Sequence, residues 1–125
     1  MATYSKIAFQ PTTMTTGTGR MTKVVATATA GTTIHTCANV ATTVDEIWLY
    51  AMNNDTVDRE LTIEFGGVSS PDDLIRFTVP TKEGLYLVVG GLVLQGNATP
   101  VVVRAFCAAA ANVISIGGYV NRITA

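Results

Sequence analysis

The chain has 125 residues, enough for one domain with a real core, and 48% of them are hydrophobic, which excludes a disordered chain. Only 14% are charged, so part of the surface is expected to face another protein rather than water. The net charge is −1 and the Lys and Arg residues stand singly, which removes the electrostatic case for nucleic-acid binding, and no apolar run reaches the ~20 residues of a membrane-spanning helix.

The N-terminus, Met1 to Lys6, lacks a basic region followed by an apolar stretch, so no secretory signal is expected and synthesis in a cytoplasm is. Residues 11–22, PTTMTTGTGRMT, are rich in Thr and Gly with no periodic apolar face. Residues 1–21 therefore read as an extended N-terminal arm, and residues 22–125 as the β domain. Ile7 and Phe9 share one face of an extended chain, with Met14 a third apolar anchor, so Ile7 and Phe9 are candidate contacts to a neighbour. Removing the arm is expected to leave a folded domain.

From Lys23 the punctuation is that of strands. Lys23 to Ala30 and Thr32 to Cys37 flank Gly31 as two β-prone runs joined by a turn. Glu46 to Met52 is apolar on both alternating faces: Ile47, Leu49 and Ala51 on one, Trp48, Tyr50 and Met52 on the other. A strand covered on both sides reads that way, which makes Trp48 and Tyr50 candidate interface residues. Asn53 to Asp58 is a turn cluster, and Arg59 to Phe65 alternates strictly with Leu61, Ile63 and Phe65 inward. Leu74 to Pro80 gives Ile75, Phe77 and Val79 on one face and ends where proline removes a ladder donor. Leu85 to Val89 stops at Gly90-Gly91, followed by Leu92 to Leu94, Val101 to Ala109 and Asn112 to Ile123. Within that last strand, Gly117-Gly118 marks a bulge or a close backbone approach. Short strands separated by Gly, Pro and Asn, with no sustained helical period, indicate an all-β domain, expected as an antiparallel, jelly-roll-like sandwich.

Residues able to carry chemistry do not assemble into a motif. His35 is the sole histidine, and no serine sits in a G-x-S-x-G context. His35 and Cys37 share a strand face, but zinc needs three or four ligands and the only further soft donor is Cys107. Both cysteines lie in apolar runs and read as buried free thiols. The acidic clusters at residues 53–58 and 72–73 lack EF-hand spacing and read as turns. Gly17-Thr18-Gly19-Arg20 lacks the phosphate-loop spacing. Glu60 and Glu64 alternate outward beside Arg59, as on a solvated face. No catalytic residue, metal or cofactor is expected, and an enzyme is the least expected class.

The stretch from Asp45 to Ile123 resembles small virion structural proteins of tailed bacteriophages, most of all capsid decoration, or cement, proteins. Leu61-Thr62-Ile63-Glu64-Phe65-Gly66-Gly67 and Gly118-Tyr119-Val120-Asn121-Arg122-Ile123 carry the resemblance. It implies a β-rich module on the outside of a phage head, bound to the major capsid protein and to its own copies, as a homotrimer, in a virion made in the bacterial cytoplasm. It implies no catalytic residue. A tail or head-to-tail (neck) component shares the pattern. A carbohydrate- or receptor-binding module is the alternative from another class, its aromatic platform drawn from Trp48, Tyr50, Tyr86 and Tyr119.

Overall fold

Alternating apolar side chains build the strands, and the turns fall where Gly, Pro, Asn and Asp collect. The computed structural model describes residues 2–12 and 17–125. Its strands are β1 (Thr3–Ile7), β2 (Thr22–Lys23), β3 (Thr32–Thr36), β4 (Thr43–Asn53), β5 (Arg59–Phe65), β6 (Leu74–Val79), β7 (Tyr86–Gln95), β8 (Val102–Phe106) and β9 (Ile114–Thr124), with no helix among the described residues.

The strands form two antiparallel sheets. One has the order β1-β9-β4-β7 with β2 also on β9, the other β3-β8-β5-β6. The pairings are nested in sequence: β5 with β6, β4 with β7, β3 with β8 and β1 with β9. Connections between successive strands therefore pass from one sheet to the other except at β1–β2 and β5–β6. Ile47, Leu49 and Ala51 of β4, with Ile114, Ile116 and Val120 of β9, meet Leu61 and Ile63 of β5 and Val103 and Ala105 of β8 in one buried cluster. Each Val, Leu or Ile side chain in it contributes roughly 1.5–3 kcal/mol on burial, which makes this cluster the main source of stability.

Several local expectations are corrected. The run from Lys23 to Ala30 is not one strand: the Val24 amide donates to the carbonyl of Ile114 at the start of β9, and the Ala26 carbonyl accepts from Cys107 beyond β8. The segment crosses from one sheet to the other, so it cannot run on in either ladder. Residues 85–94 are not two strands. β7 continues through Gly90-Gly91, where the register against β4 jumps between Ile47 and Trp48 and Gly91 takes a φ of 85°. At Gly117-Gly118 the β4–β9 register runs unbroken, so the glycines serve close approach: a Cβ on Gly118 would collide with the Trp48 carbonyl. Glu64 is fully buried rather than outward, accepting from Thr29 Oγ1 at 2.8 Å and the Gly31 amide at 2.7 Å. The crossing segment covers the face that strand alternation assigned to water.

The segment expected as an arm is largely docked on its own chain. β1 pairs with β9 from Thr3 opposite Thr124 to Ile7 opposite Val120, and Phe9 is buried in the core. Met14 lies outside the described residues.

Candidate functional site

Three of the buried polar residues, His35, Thr43 and Asp45, lie toward one end of the core. On β3 the register slips between Thr33 and His35, so Ile34 and His35 are both buried. On β4 simple alternation places Asp45 inward with Ile47 and Leu49. Arg122 is its cross-strand partner on β9, two residues beyond buried Val120. Arg122 Nε donates to Asp45 Oδ1 at 2.8 Å and Nη2 donates to Oδ2 at 2.9 Å. His35 Nε2 lies 2.7 Å from the same Oδ2. The other imidazole nitrogen, Nδ1, accepts from the Gln10 amide at 3.0 Å. An amide N–H only donates, so Nδ1 carries no proton and Nε2–H donates to Asp45.

Electrostatics follow from that arrangement. Burial raises the Asp45 carboxyl, but the hydrogen bonds from Arg122 and His35 and the Arg122 charge outweigh it and hold the group below its ordinary value. Arg122 is held above its own ordinary value by the hydrogen bond to Asp45. Burial and the adjacent Asp45 charge push the Cys37 thiol up to about 12.

His35, Cys37 and Asp45 bring donor atoms within 4.8 Å of one another. The third neighbour of the His35/Cys37 pair is thus Asp45 rather than Cys107. These donors do not fit a metal ion. Both imidazole nitrogens and both carboxylate oxygens are already engaged, and the thiol stays protonated where a thiolate is needed. The Arg122 cation stands where a metal cation would add its charge. A nucleophilic role for Cys37 fails on the same ground, since it needs a lowered pKa and access. The arrangement is a satisfied, buried ion pair extended by a histidine, and what it can do is hold β3, β4, β9 and the N-terminal segment together. A cavity of about 150 Å³ beside it is lined by Gln10, Cys37, Val40, Thr43 and Arg122 among others.

The outer face of the larger sheet carries the aromatic candidates. Trp48 and Tyr119 are cross-strand partners whose rings are nearly parallel, at 11°, with centroids 6.0 Å apart. Lys6 Nζ sits 4.8 Å from the Tyr119 ring centre. Trp48 Nε1 and, at 2.9 Å, Asn121 Nδ2 donate to Glu46 Oε1, and these two hydrogen bonds lower the Glu46 carboxyl. The indole packs over Gly90 and Gly91 of β7, where no side chains intervene. Tyr50 is half-buried between Leu87 on β7 and Gly117 on β9. Of the N-terminal candidates, Ile7 packs against the core and Phe9 is part of it, its ring 5.8 Å from that of His35.

β7 ends its sheet, and apolar side chains on it and just before it are open to solvent: Leu85 58%, Leu87 46%, Leu92 50% and Val93 52% exposed. Sequence reasoning singled out Trp48 and Tyr50 but not Asp45, Arg122, Glu46 or Tyr119 as a set. Their only signal in the sequence is the pairing of β4 with β9, which becomes readable once the register is known. No family model matches the chain, and no curated protein or solved structure matches it either.

Proposed function

We propose that the chain is a structural protein of a tailed-bacteriophage virion, a decoration module that binds the outside of the head and stabilises it. The observation that carries this reading is the nested strand pairing, β5/β6 inside β4/β7 inside β3/β8 inside β1/β9. A long hairpin rolled so that successive pairs alternate between two sheets is a jelly roll, an architecture of viral capsid and lectin domains. Fold does not fix function, so the surface has to agree with it. No charged residue occurs between Glu83 and Arg104, and this stretch holds β7 with its exposed Leu and Val side chains. An uncharged, apolar edge strand suits contact with another protein.

In this reading the partners are the major capsid protein and further copies of the chain, as a trimer by the resemblance to decoration proteins. Residues 1–21 serve as the exchangeable arm, since β1 makes the same ladder with β9 whether it comes from its own chain or a neighbour. Many copies with modest contacts each give durable attachment by multivalency.

Electron microscopy of the native particle tests the reading. Density over the capsid shell is expected, and density confined to the tail or neck moves the assignment there. Leu87→Glu combined with Leu92→Glu is expected to keep the far-ultraviolet circular dichroism of the wild type and lose binding to undecorated heads. A second reading, a carbohydrate-binding module, is favoured by the Trp48–Tyr119 pair beside Glu46 and Asn121. Glycan-array binding abolished by Trp48→Ala would select it.

A further inference from the structure

The imidazole of His35 is fully buried and, among the described residues, is the only side chain that hydrogen-bonds both the N-terminal segment and the Asp45–Arg122 pair. Three hydrogen bonds fasten that segment near it. The Gln10 amide donates to His35 Nδ1, the Thr36 amide donates to the Gln10 carbonyl at 2.6 Å, and Thr36 Oγ1 donates to the Pro11 carbonyl at 2.9 Å. Phe9 fills the core against the imidazole, and β1 follows on the edge of β9.

One contact in this arrangement depends on a neutral ring: the hydrogen bond from the Gln10 amide to Nδ1. A proton added to Nδ1 turns the acceptor into a donor facing the Gln10 N–H, so the hydrogen bond becomes a repulsive contact between two donors. The charged and titratable groups around the ring are Asp45 from β4, Arg122 from β9 and the Cys37 thiol that follows β3. Asp45 is already neutralised by Arg122, so an imidazolium leaves one buried positive charge without a counter-ion of its own. The charged ring can be solvated by turning toward water, but only if Phe9 and Gln10 move away.

We propose that His35 is an acid-sensitive latch: neutral, it holds residues 3–12 on the two-sheet domain through Gln10, and protonated, it releases them and bares the β9 edge from Val120 to Thr124. Glu64, the buried carboxylate of β5, fastens Thr29 and Gly31 rather than the N-terminal segment. The inference concerns the single chain and stands apart from any role in a virion.

Nuclear magnetic resonance on the full chain tests it, following the His35 ring signals and the exchange protection factors of the Gln10, Thr36 and Leu49 amides as pH is lowered. Protection of Gln10 and Thr36 is expected to fall by about tenfold in step with the His35 titration, the factor set by loss of one buried hydrogen bond, while Leu49 stays protected. Gln10 protection that is flat across the His35 titration overturns the latch. So does an imidazole that stays neutral until Leu49 itself loses protection. His35→Asn retains an oxygen acceptor in place of Nδ1 and cannot take up a proton, so its Gln10 protection is expected not to change with pH. The same acid loss in this variant overturns the proposal, and if the variant does not fold, the wild-type titration decides alone.

Discussion

Arg122 grips Asp45 with two parallel hydrogen bonds, Nε to Oδ1 and Nη2 to Oδ2, across the β4–β9 ladder. Asp45 is wholly buried whereas the Arg122 side chain is 25% exposed, so the carboxylate is the member that has no alternative partner in water. Removing its charge leaves the guanidinium and the His35 Nε2–H facing a weaker acceptor. Asp45→Asn is expected to lower unfolding stability by about 3 kcal/mol at pH 7, measured by urea denaturation.

The same pair sets part of the pH profile. The folded state holds the Asp45 carboxyl below its ordinary value, so its contribution is complete above about pH 4, the value for an unfolded chain, and is lost as pH falls below that through the folded value. Melting temperatures taken from pH 7 to pH 2 are expected to converge for wild type and Asp45→Asn at the acid end. Parallel curves would show that the pair contributes nothing to acid lability.

Gly118 sits at a φ of 144° with its Cα against the Trp48 carbonyl. Any side chain there meets backbone rather than a movable side chain, in the middle of the longest ladder. Gly118→Ala is expected to cost about 3 kcal/mol or more, or to prevent folding, by chemical denaturation.

Phe9 belongs to the core although its sequence neighbours do not look like a strand. Phe9→Ala is expected to destabilise the chain by about 3 kcal/mol, the usual cost of emptying a buried aromatic site. A change below the error of the denaturation curve would return this segment to the status of a frayed end.

Cys37 is buried, and its thiol is pushed up to about 12 by burial and by Asp45. Iodoacetamide at pH 8 is expected to leave Cys37 unmodified in the folded chain and to alkylate it in denaturant, read by mass spectrometry of the peptide that contains it.

The strand skeleton from β4 to β9 is legible in the sequence because alternation is a local signal: Leu61 and Ile63, or Ile47 and Leu49, point the same way whatever lies across from them. Burial of polar residues is not local. Asp45 and Arg122 are 77 positions apart, and nothing near either one announces the other. Glu64 alternates with Ile63 as a solvated residue would, and only the arrival of Thr29 and Gly31 from a distant crossing segment encloses it. Lys23 to Ala30 has the propensity of a strand but spends its residues passing between sheets. Trp48 and Tyr50 are legible as an apolar second face of β4, but the partner that stacks on Trp48 is Tyr119, supplied by register alone.

Thr3 and Thr124 stand opposite one another in the β1–β9 ladder. A polypeptide that enters at the first and leaves at the second therefore does so through one spot on the surface, at the rim of a single sheet. Such a body can be carried as a bead within a longer chain without prising its host apart, because the ends to be joined are already together and the loop-closure cost is small. The same adjacency allows the chain to be rewired: ends joined by a short linker and a new opening cut at the exposed turn of residues 82–84 would leave every strand with its present neighbours.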